Sequence, residues 1–409
     1  MSTNDSDADP RVLVVGAGPV GMSAALALRA RGLPVTVLEA DPEDRDRAGS
    51  RAIYVHGSTL RTLENAVPGL GQQLADAGLV WPTRRTFWRG KEVFSRTYSH
   101  SSGGLPHFTS LPQVRTEAFL LAACEADDVE VVWDAPVVGV ESTPEGVTVE
   151  TESGEQWEAP YVVGADGARS VVRGEIGSEF QGSRSENSFV IADVSEVPDD
   201  PRPPERVFHY DHPGVGDRNV LFVPFTGGWR VDVQCEATDD PEALASEEEI
   251  ADVVGTVLGE RYADRVTWVS TYQFLQVVAD AFVDEHRRVL LAGEAAHLFA
   301  PFGARGMNSG IADADEAASA IAVATRARRD AVARAEVEHY AARREFAAEW
   351  NRDAAGRALD ILKGANPVVE AKKSLAAAVA DWWEPAGEWL DDAPYGPPSG
   401  PPLPTGSKY

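Results

Sequence analysis

The chain has 409 residues, 43% of them hydrophobic, and a formal net charge of −28, a length that buries a sizeable core and accommodates two domains or one large α/β domain with an inserted sheet. The acidic balance argues against nucleic acid and anionic membrane as partners, because polyanions are repelled over most of the surface. No apolar run is long enough to span a bilayer, and the two cysteines, Cys124 and Cys235, lie far apart and fit a reducing compartment as buried small hydrophobes.

Residues 1–10 are polar and acidic, without the basic start and apolar stretch of a signal peptide, so a disordered leader on a cytoplasmic protein is expected. Val12–Val15 then form an apolar run suited to a buried parallel strand, and Gly16, Gly18 and Gly21 follow in G-x-G-x-x-G spacing at the start of a helix over residues 22–31. The first glycine permits the tight turn, the second lets a pyrophosphate approach the helix N-terminus, and the third brings helix and strand close. Glu39 closes a second strand over Val35–Leu38, where a carboxylate accepts hydrogen bonds from both hydroxyls of an adenosine ribose and disfavours a 2′-phosphate. The occupant at this point is a dinucleotide, NAD or FAD. Either is anionic, so the cleft must be locally basic, which draws attention to Arg45, Arg47 and Arg51 and to Arg84, Arg85 and Arg89.

Helices are expected near residues 57–65 and 116–125, with sheet-like alternation over 81–98 and strands over 130–132, 137–141, 147–151 and 155–161. Asp166 and Gly167 stand in a turn after a further strand. From residue 188 to 276 the pattern becomes aromatic-rich strands (189–194, 207–210, 220–224, 229–235 and 268–277) interrupted by one acidic helix over 246–258, which predicts an inserted antiparallel sheet able to cover a pocket. Residues 289–292 are again a short buried strand, ending in Gly293-Glu294. A glycine-rich loop, Pro301-Phe302-Gly303-Ala304-Arg305-Gly306-Met307, then opens a helix at Asn308, aiming backbone N–H groups at one spot. A long helix is expected over 334–362.

These three separated motifs, spread over residues 11–355, resemble the flavoprotein aromatic hydroxylases, the single-component FAD-dependent monooxygenases typified by para-hydroxybenzoate hydroxylase, in a short form without a thioredoxin-like C-terminal domain. The resemblance implies an α/β fold: a Rossmann-like FAD-binding domain with an inserted, mostly antiparallel substrate sheet and C-terminal helices. Its expected divisions are the leader (1–10), a discontinuous FAD-binding domain (11–80, 99–187 and 286–330), the substrate sheet (81–98 and 188–285), C-terminal helices (331–383) and an extended, poorly ordered proline-rich tail (384–409). It also implies that Gly16, Gly18, Gly21 and Glu39 hold the ADP half of FAD, that Arg51 stands near the pyrophosphate, that Gln113 contacts the flavin side, that Asp166 serves the cofactors, and that the backbone of Gly303, Ala304, Arg305, Gly306, Met307 and Asn308 lies against the flavin ring. Glu39 then says little about the nicotinamide reductant. Glu294 stands where the family usually has Asp, and Ala304-Arg305 where many members have Gly-Gln; Arg305 is a candidate cation beside the flavin.

The implied chemistry is reduction of FAD by NAD(P)H, reaction with O2 to a flavin C4a-hydroperoxide, and oxygen transfer to an aromatic or polyketide-like small molecule of secondary metabolism. Pro301, Phe302 and Arg305 are the candidate catalytic residues; Tyr210, Phe222, Arg230 and Tyr272, with His209 and Gln234, are the substrate candidates, of which strand alternation lets about half face a pocket. No metal is expected: the eight histidines are scattered, and His297 is expected to support the Gly293-Glu294 loop. Monomer or homodimer both remain open. The rivals are a same-fold flavin oxidoreductase (Baeyer–Villiger oxygenase, halogenase or alkene reductase) and a non-catalytic flavin-binding redox sensor; the Trp-x-Trp-x-Ile-Pro segment typical of halogenases is missing, and Trp382-Trp383 does not replace it.

Overall fold

Of the four sheets among the described residues, the two largest organise the chain, and each is built by a different hydrophobic pattern. The computed structural model describes residues 11–46, 49–98, 103–236, 238–363 and 366–397, with the side chains of 185–187 excepted. Five short strands pair in parallel in the order Val289–Leu291, Val162–Gly164, Val12–Val15, Val35–Leu38 and Glu130–Val132. Apart from Thr36 and the exposed Glu130 of the edge strand they carry no polar side chain, because both faces are covered. Val12, Val14, Val35, Val37, Val163 and Leu290 face the helices Pro19–Ala30, Gln113–Ala126 and Arg305–Arg326. Leu13, Val15, Leu38, Val162, Val289 and Leu291 face the other way, onto a three-stranded antiparallel meander (Val137–Ser142, Val147–Thr151, Gln156–Ala159) and the long helix Asp330–Lys363.

The second sheet has eight strands in the order His297–Leu298, Val266–Ala279, Phe180–Ser195, Gly228–Gln234, Arg218–Phe225, Glu205–His212, Thr83–Trp88 and Lys91–Thr97. All pairs are antiparallel except Glu205–His212 with Thr83–Trp88. Alternation divides it cleanly. Val190, Ala192, Val207, Val220, Phe222, Val231 and Val233 pack under the helix Glu247–Leu258, whose first turn carries Glu247, Glu248 and Glu249 against the positive end of its dipole. The opposite parity forms the floor of a cavity.

Three departures from expectation bear on the cavity. The Phe180–Ser195 strand begins eight residues before the expected boundary at 188, because the polar run from Phe180 to Arg184 is held by backbone pairing with Ala279 back to Leu275 rather than by its own hydrophobicity. The helix expected at Asn308 starts at Arg305. The largest correction concerns the tail: Glu384–Asp392 is a helix followed by a 3-10 turn, Ala393–Tyr395. Its proline sits in the first turn, where no N–H is needed, and Ala386 and Leu390 pack on Trp88, Val93 and Tyr210. The expected leader at 1–10 and the last residues, 398–409, lie outside the described residues. No helix among the described residues is long and apolar enough to cross a membrane, and Cys124 and Cys235 are buried free thiols.

Candidate active site

At the C-terminal end of the first strand the chain turns through Gly16 at φ +102°, a left-handed position where a Cβ would lie 2.5 Å from the Ala165 carbonyl oxygen. A Cβ on Gly21 would fall 1.8 Å from the Gly16 carbonyl oxygen, so the Pro19–Ala30 helix sits against the turn only because that position is bare. Gly18 differs from both: a Cβ there meets no protein atom within 4 Å, and the helix it opens has neither a side-chain cap nor an acid in its first turn. The unpaired N–H groups and positive dipole end therefore face open space, a cradle for a diphosphate. Glu39 supports the turn, accepting from the Ala17 N–H at 2.5 Å and the Asp41 N–H at 3.0 Å, and pairing with Arg45 at 3.2 Å.

Gly16, Gly18, Glu39, Arg51, Gln113, Asp166 and Glu294 all line one cavity of about 1680 Å³; Gly21 lies behind it. Arg51 holds a left-handed φ of +54°, an uncommon strained conformation for a long side chain. Gln113 is fixed through its amide to Glu117 at 2.8 Å. Asp166 accepts from the Ser170 hydroxyl at 2.5 Å and from the N–H groups of Val171 and Val172 at 2.8 and 3.1 Å, so it shapes its own turn; burial raises its pKa against these bonds. Glu294 makes no hydrogen bond to another described residue, and desolvation raises its pKa. Behind it Asp313 accepts from the Gly293 N–H at 3.0 Å and holds His297 at 2.6 Å and Arg344 at 2.5 Å. Burial pushes Asp313 up, yet Arg344 and His297 bring it down to about 2. His297 thus supports this turn.

The loop from Pro301 to Met307 forms the next wall. Gly303 and Ala304 are both left-handed, at φ +79° and +52°, and the Arg305–Arg326 helix starts without a side-chain cap. Asn308 does not line the cavity: its amide accepts from the His56 N–H and the Thr59 hydroxyl and donates to Tyr54 and Ala304 carbonyls, at 2.7–2.9 Å, making it the clasp of the loop. Arg305 is buried, not solvent-facing. Its guanidinium donates to Phe302 O at 3.1 Å, Asn351 Oδ1 at 2.9 Å, Tyr395 O at 3.1 Å and Pro397 O, and burial, with Arg357 adding, lowers its pKa to about 10. His56, which was not among the residues singled out from the sequence, reaches the Gly303 carbonyl at 3.1 Å, and burial lowers its pKa to about 4.

The sheet supplies the floor. Arg230, Asp232 and Gln234 share one parity of the Gly228–Gln234 strand and face the cavity with Phe189, Ile191, Leu221 and Phe208. Tyr272 also lines it. Tyr210 and Phe222 do not: Phe222 has the opposite parity and is core, and Tyr210 lies past the cavity's edge, its hydroxyl donating to Leu390 O at 2.8 Å. His209 likewise points away, stacked on Phe87 at 4.6 Å. Arg230 reaches the cavity but is committed, donating to Asp193 at 3.4 Å, to Ser50 Oγ and to the Arg51 carbonyl. Of the expected basic cleft, Arg84 lines the cavity but pairs with Asp391 and Asp392, Arg85 with Glu92 and Glu205, and Arg89 with Asp211. Arg47 lies outside the described residues. Among them, no cluster of three or more His, Cys, Asp or Glu side chains could hold a metal.

Asp232 was absent from the sequence candidates. Its Oδ1 is buried without a hydrogen-bond partner, and burial raises its pKa to about 6, with Arg230 opposing and Asp193 adding. The alternation that selects Arg230 and Gln234 was the available signal, since Asp232 lies between them.

A family model described as an FAD binding domain matches residues 9–353. The chain is 32% identical over 315 residues to 6-methylpretetramide 4-monooxygenase of Streptomyces rimosus, covering 75% of this chain and 54% of that protein. It is 30% identical over 322 residues to the rifampicin monooxygenase of Streptomyces venezuelae, covering 74% and 62%. The chain therefore spans little more than half the length of these relatives. The p-nitrophenol 4-monooxygenase PnpA of Pseudomonas putida superposes with a TM-score of 0.75 at 25% identity, over 94% of this chain and 98% of that one. The Gly18 turn, the Glu294 carboxylate and the left-handed 303–304 loop all lie within the matched stretch, and the chain belongs to the FAD binding domain family.

Proposed function

We propose that the chain is an FAD- and NAD(P)H-dependent monooxygenase that places one oxygen atom of O2 on an aromatic or polyketide-like small molecule. The observation that carries this is the continuity of the cavity: at about 1680 Å³ it runs from the glycine turn to the sheet floor, whereas the pocket for a single small molecule measures roughly 300–1,000 Å³. It has room for a dinucleotide and a second flat molecule. The names of the similar proteins, monooxygenases of a pretetramide, rifampicin and p-nitrophenol, agree in reaction type.

In this proposal Gly16, Gly18, Gly21 and Glu39 hold the ADP half, Arg51, Gln113, Asp166 and Glu294 the middle of the cofactor, and the backbone from Gly303 to Met307 the ring. Bound FAD supplies the passage of electrons from NAD(P)H to O2. The chain's own part is environment. Pro301 and Phe302 pack where the substrate meets the ring, with Phe302 edge-on to Phe189 and Phe274 at 5.6 and 6.0 Å, and this apolar wall excludes water from the reacting atoms. Arg305, tied to four carbonyl-type oxygens and, among the described residues, to no carboxylate, keeps its positive charge beside the loop. Purified protein carrying about one flavin per chain, and oxidising NAD(P)H faster when a phenolic substrate is added, is the expected result. A flavin-free protein, or one whose flavin is not bleached by either nicotinamide, contradicts the proposal.

A further inference from the structure

We propose that Asp232 is a specificity-determining residue of this cavity, accepting a hydrogen bond from a neutral hydroxyl on a flat aromatic or enolic substrate and turning away substrates that present a carboxylate there. The inference rests on the proposed function for the identity of the site and goes on to name the substrate chemistry.

The cross-strand register puts Asp232 in an otherwise apolar row. It is directly opposite Ile191 on one side and Leu221 on the other, and Leu221 is opposite Phe208. All four line the cavity. A charged group in such a row costs stability unless it is paired, and a natural sheet would place a hydrophobe there. Pairing within the chain is incomplete. Asp232 Oδ1 has no hydrogen-bond partner, and Arg230 Nε stands 4.0 Å away, beyond hydrogen-bond reach. Arg230 cannot swing over without abandoning Asp193, Ser50 and the Arg51 carbonyl, which it holds together. On the same strand Gln234 is engaged as acceptor from Asn219 at 2.9 Å. Oδ1 is sealed beside Arg230, so the acceptor that Asp232 offers an occupant of the cavity is its other oxygen, Oδ2, on a side chain that stays 24% exposed.

A hydroxyl donor satisfies that acceptor; a carboxylate brings a second negative charge to a low-dielectric floor that already holds Asp193 in the next row. The apolar part of the lining around Asp232, Phe189, Phe274 and Phe302 with Ile191, Leu221 and Phe208, suits an aromatic plane. The discriminating probes are accordingly 2-naphthol and 2-naphthoate, equal in ring system and opposite in this one respect.

Their dissociation constants are to be measured calorimetrically on FAD-loaded protein without nicotinamide, for the wild type and for Asp232→Asn. The wild type is expected to bind 2-naphthol roughly tenfold more tightly than 2-naphthoate, and Asp232→Asn to reduce that ratio by roughly tenfold, the size of one hydrogen bond to a charged group. A wild-type ratio near or below one, binding of neither probe, or a ratio left unchanged by Asp232→Asn overturns the proposal. Should Asp232→Asn lose its flavin, Asp232→Glu takes its place and is expected to keep the preference for 2-naphthol. The titration needs no turnover, so its failure leaves the monooxygenase proposal intact, and failure of that proposal shows instead as missing flavin or idle NAD(P)H.

Discussion

Replacing Asp391 by alanine tests whether the C-terminal helix is an integral wall of the site. Asp391 is 1% exposed, accepts from Thr86 Oγ1 at 2.6 Å and Arg206 Nη1 at 2.7 Å, and lies 2.5 Å from Arg84. Arg206 is fully buried, and its Nε and Nη2 have no hydrogen-bond partner. Removing the carboxylate leaves that guanidinium as an uncompensated buried charge, which costs about 3–5 kcal/mol, a large share of a stability of roughly 5–15 kcal/mol. Urea unfolding followed by circular dichroism should show a loss of that size for Asp391→Ala. The double variant Arg206→Met with Asp391→Leu, which removes both charges and keeps the volume, should recover more than half of it. A loss below about 1 kcal/mol for the single variant, the range of an exposed ion pair, would refute the reasoning and return residues 384–397 to the status of a loose tail.

Gly18→Ala and Gly21→Ala should separate ligand from fold: the first meets no protein atom and should leave unfolding of the flavin-free protein within about 0.5 kcal/mol while weakening FAD binding, and the second collides with Gly16 and should lower both, as read by urea midpoints and flavin titration. His56 is depressed to about 4 from 6.5, so the unfolded chain takes up the proton first and the stability due to neutral His56 is complete above about pH 6.5 and lost as the pH falls toward about 4; melting temperatures over this window should slope less steeply in His56→Gln, and an identical slope would refute the assignment. Arg305→Lys cannot reach Tyr395 and Pro397 together, and limited proteolysis should trim the C-terminal segment faster than in the wild type.

The dinucleotide half was legible because its physics is local. Gly16, Gly18, Gly21 and Glu39 are constrained by one turn, and the apolar runs at 12–15, 35–38 and 289–291 need no distant partner to declare themselves. The eight-stranded sheet was legible as a sheet but not as a site. Which parity of each strand faces the cavity depends on which face the Glu247–Leu258 helix covers, and that is a tertiary fact; it moved Phe222 into the core and brought Asp232 onto the floor. Tyr210 had the right parity and the wrong position along its strand, beneath Leu390. The basic cleft expected from Arg84, Arg85 and Arg89 dissolved into ion pairs with acids distant in sequence. The tail misled for the opposite reason, since proline and paired aspartates describe a loop locally, while Asp391 is bound by arginines some two and three hundred residues earlier.

The measurement that bears most directly on the central claim is the source of the oxygen in the product. A phenolic substrate that accelerates NAD(P)H oxidation by the FAD-loaded protein is turned over under oxygen-18 gas in ordinary water, and the product is weighed by mass spectrometry. One heavy oxygen per product molecule is predicted; product whose new oxygen comes from water, or NAD(P)H consumption with no oxygenated product, would contradict the account.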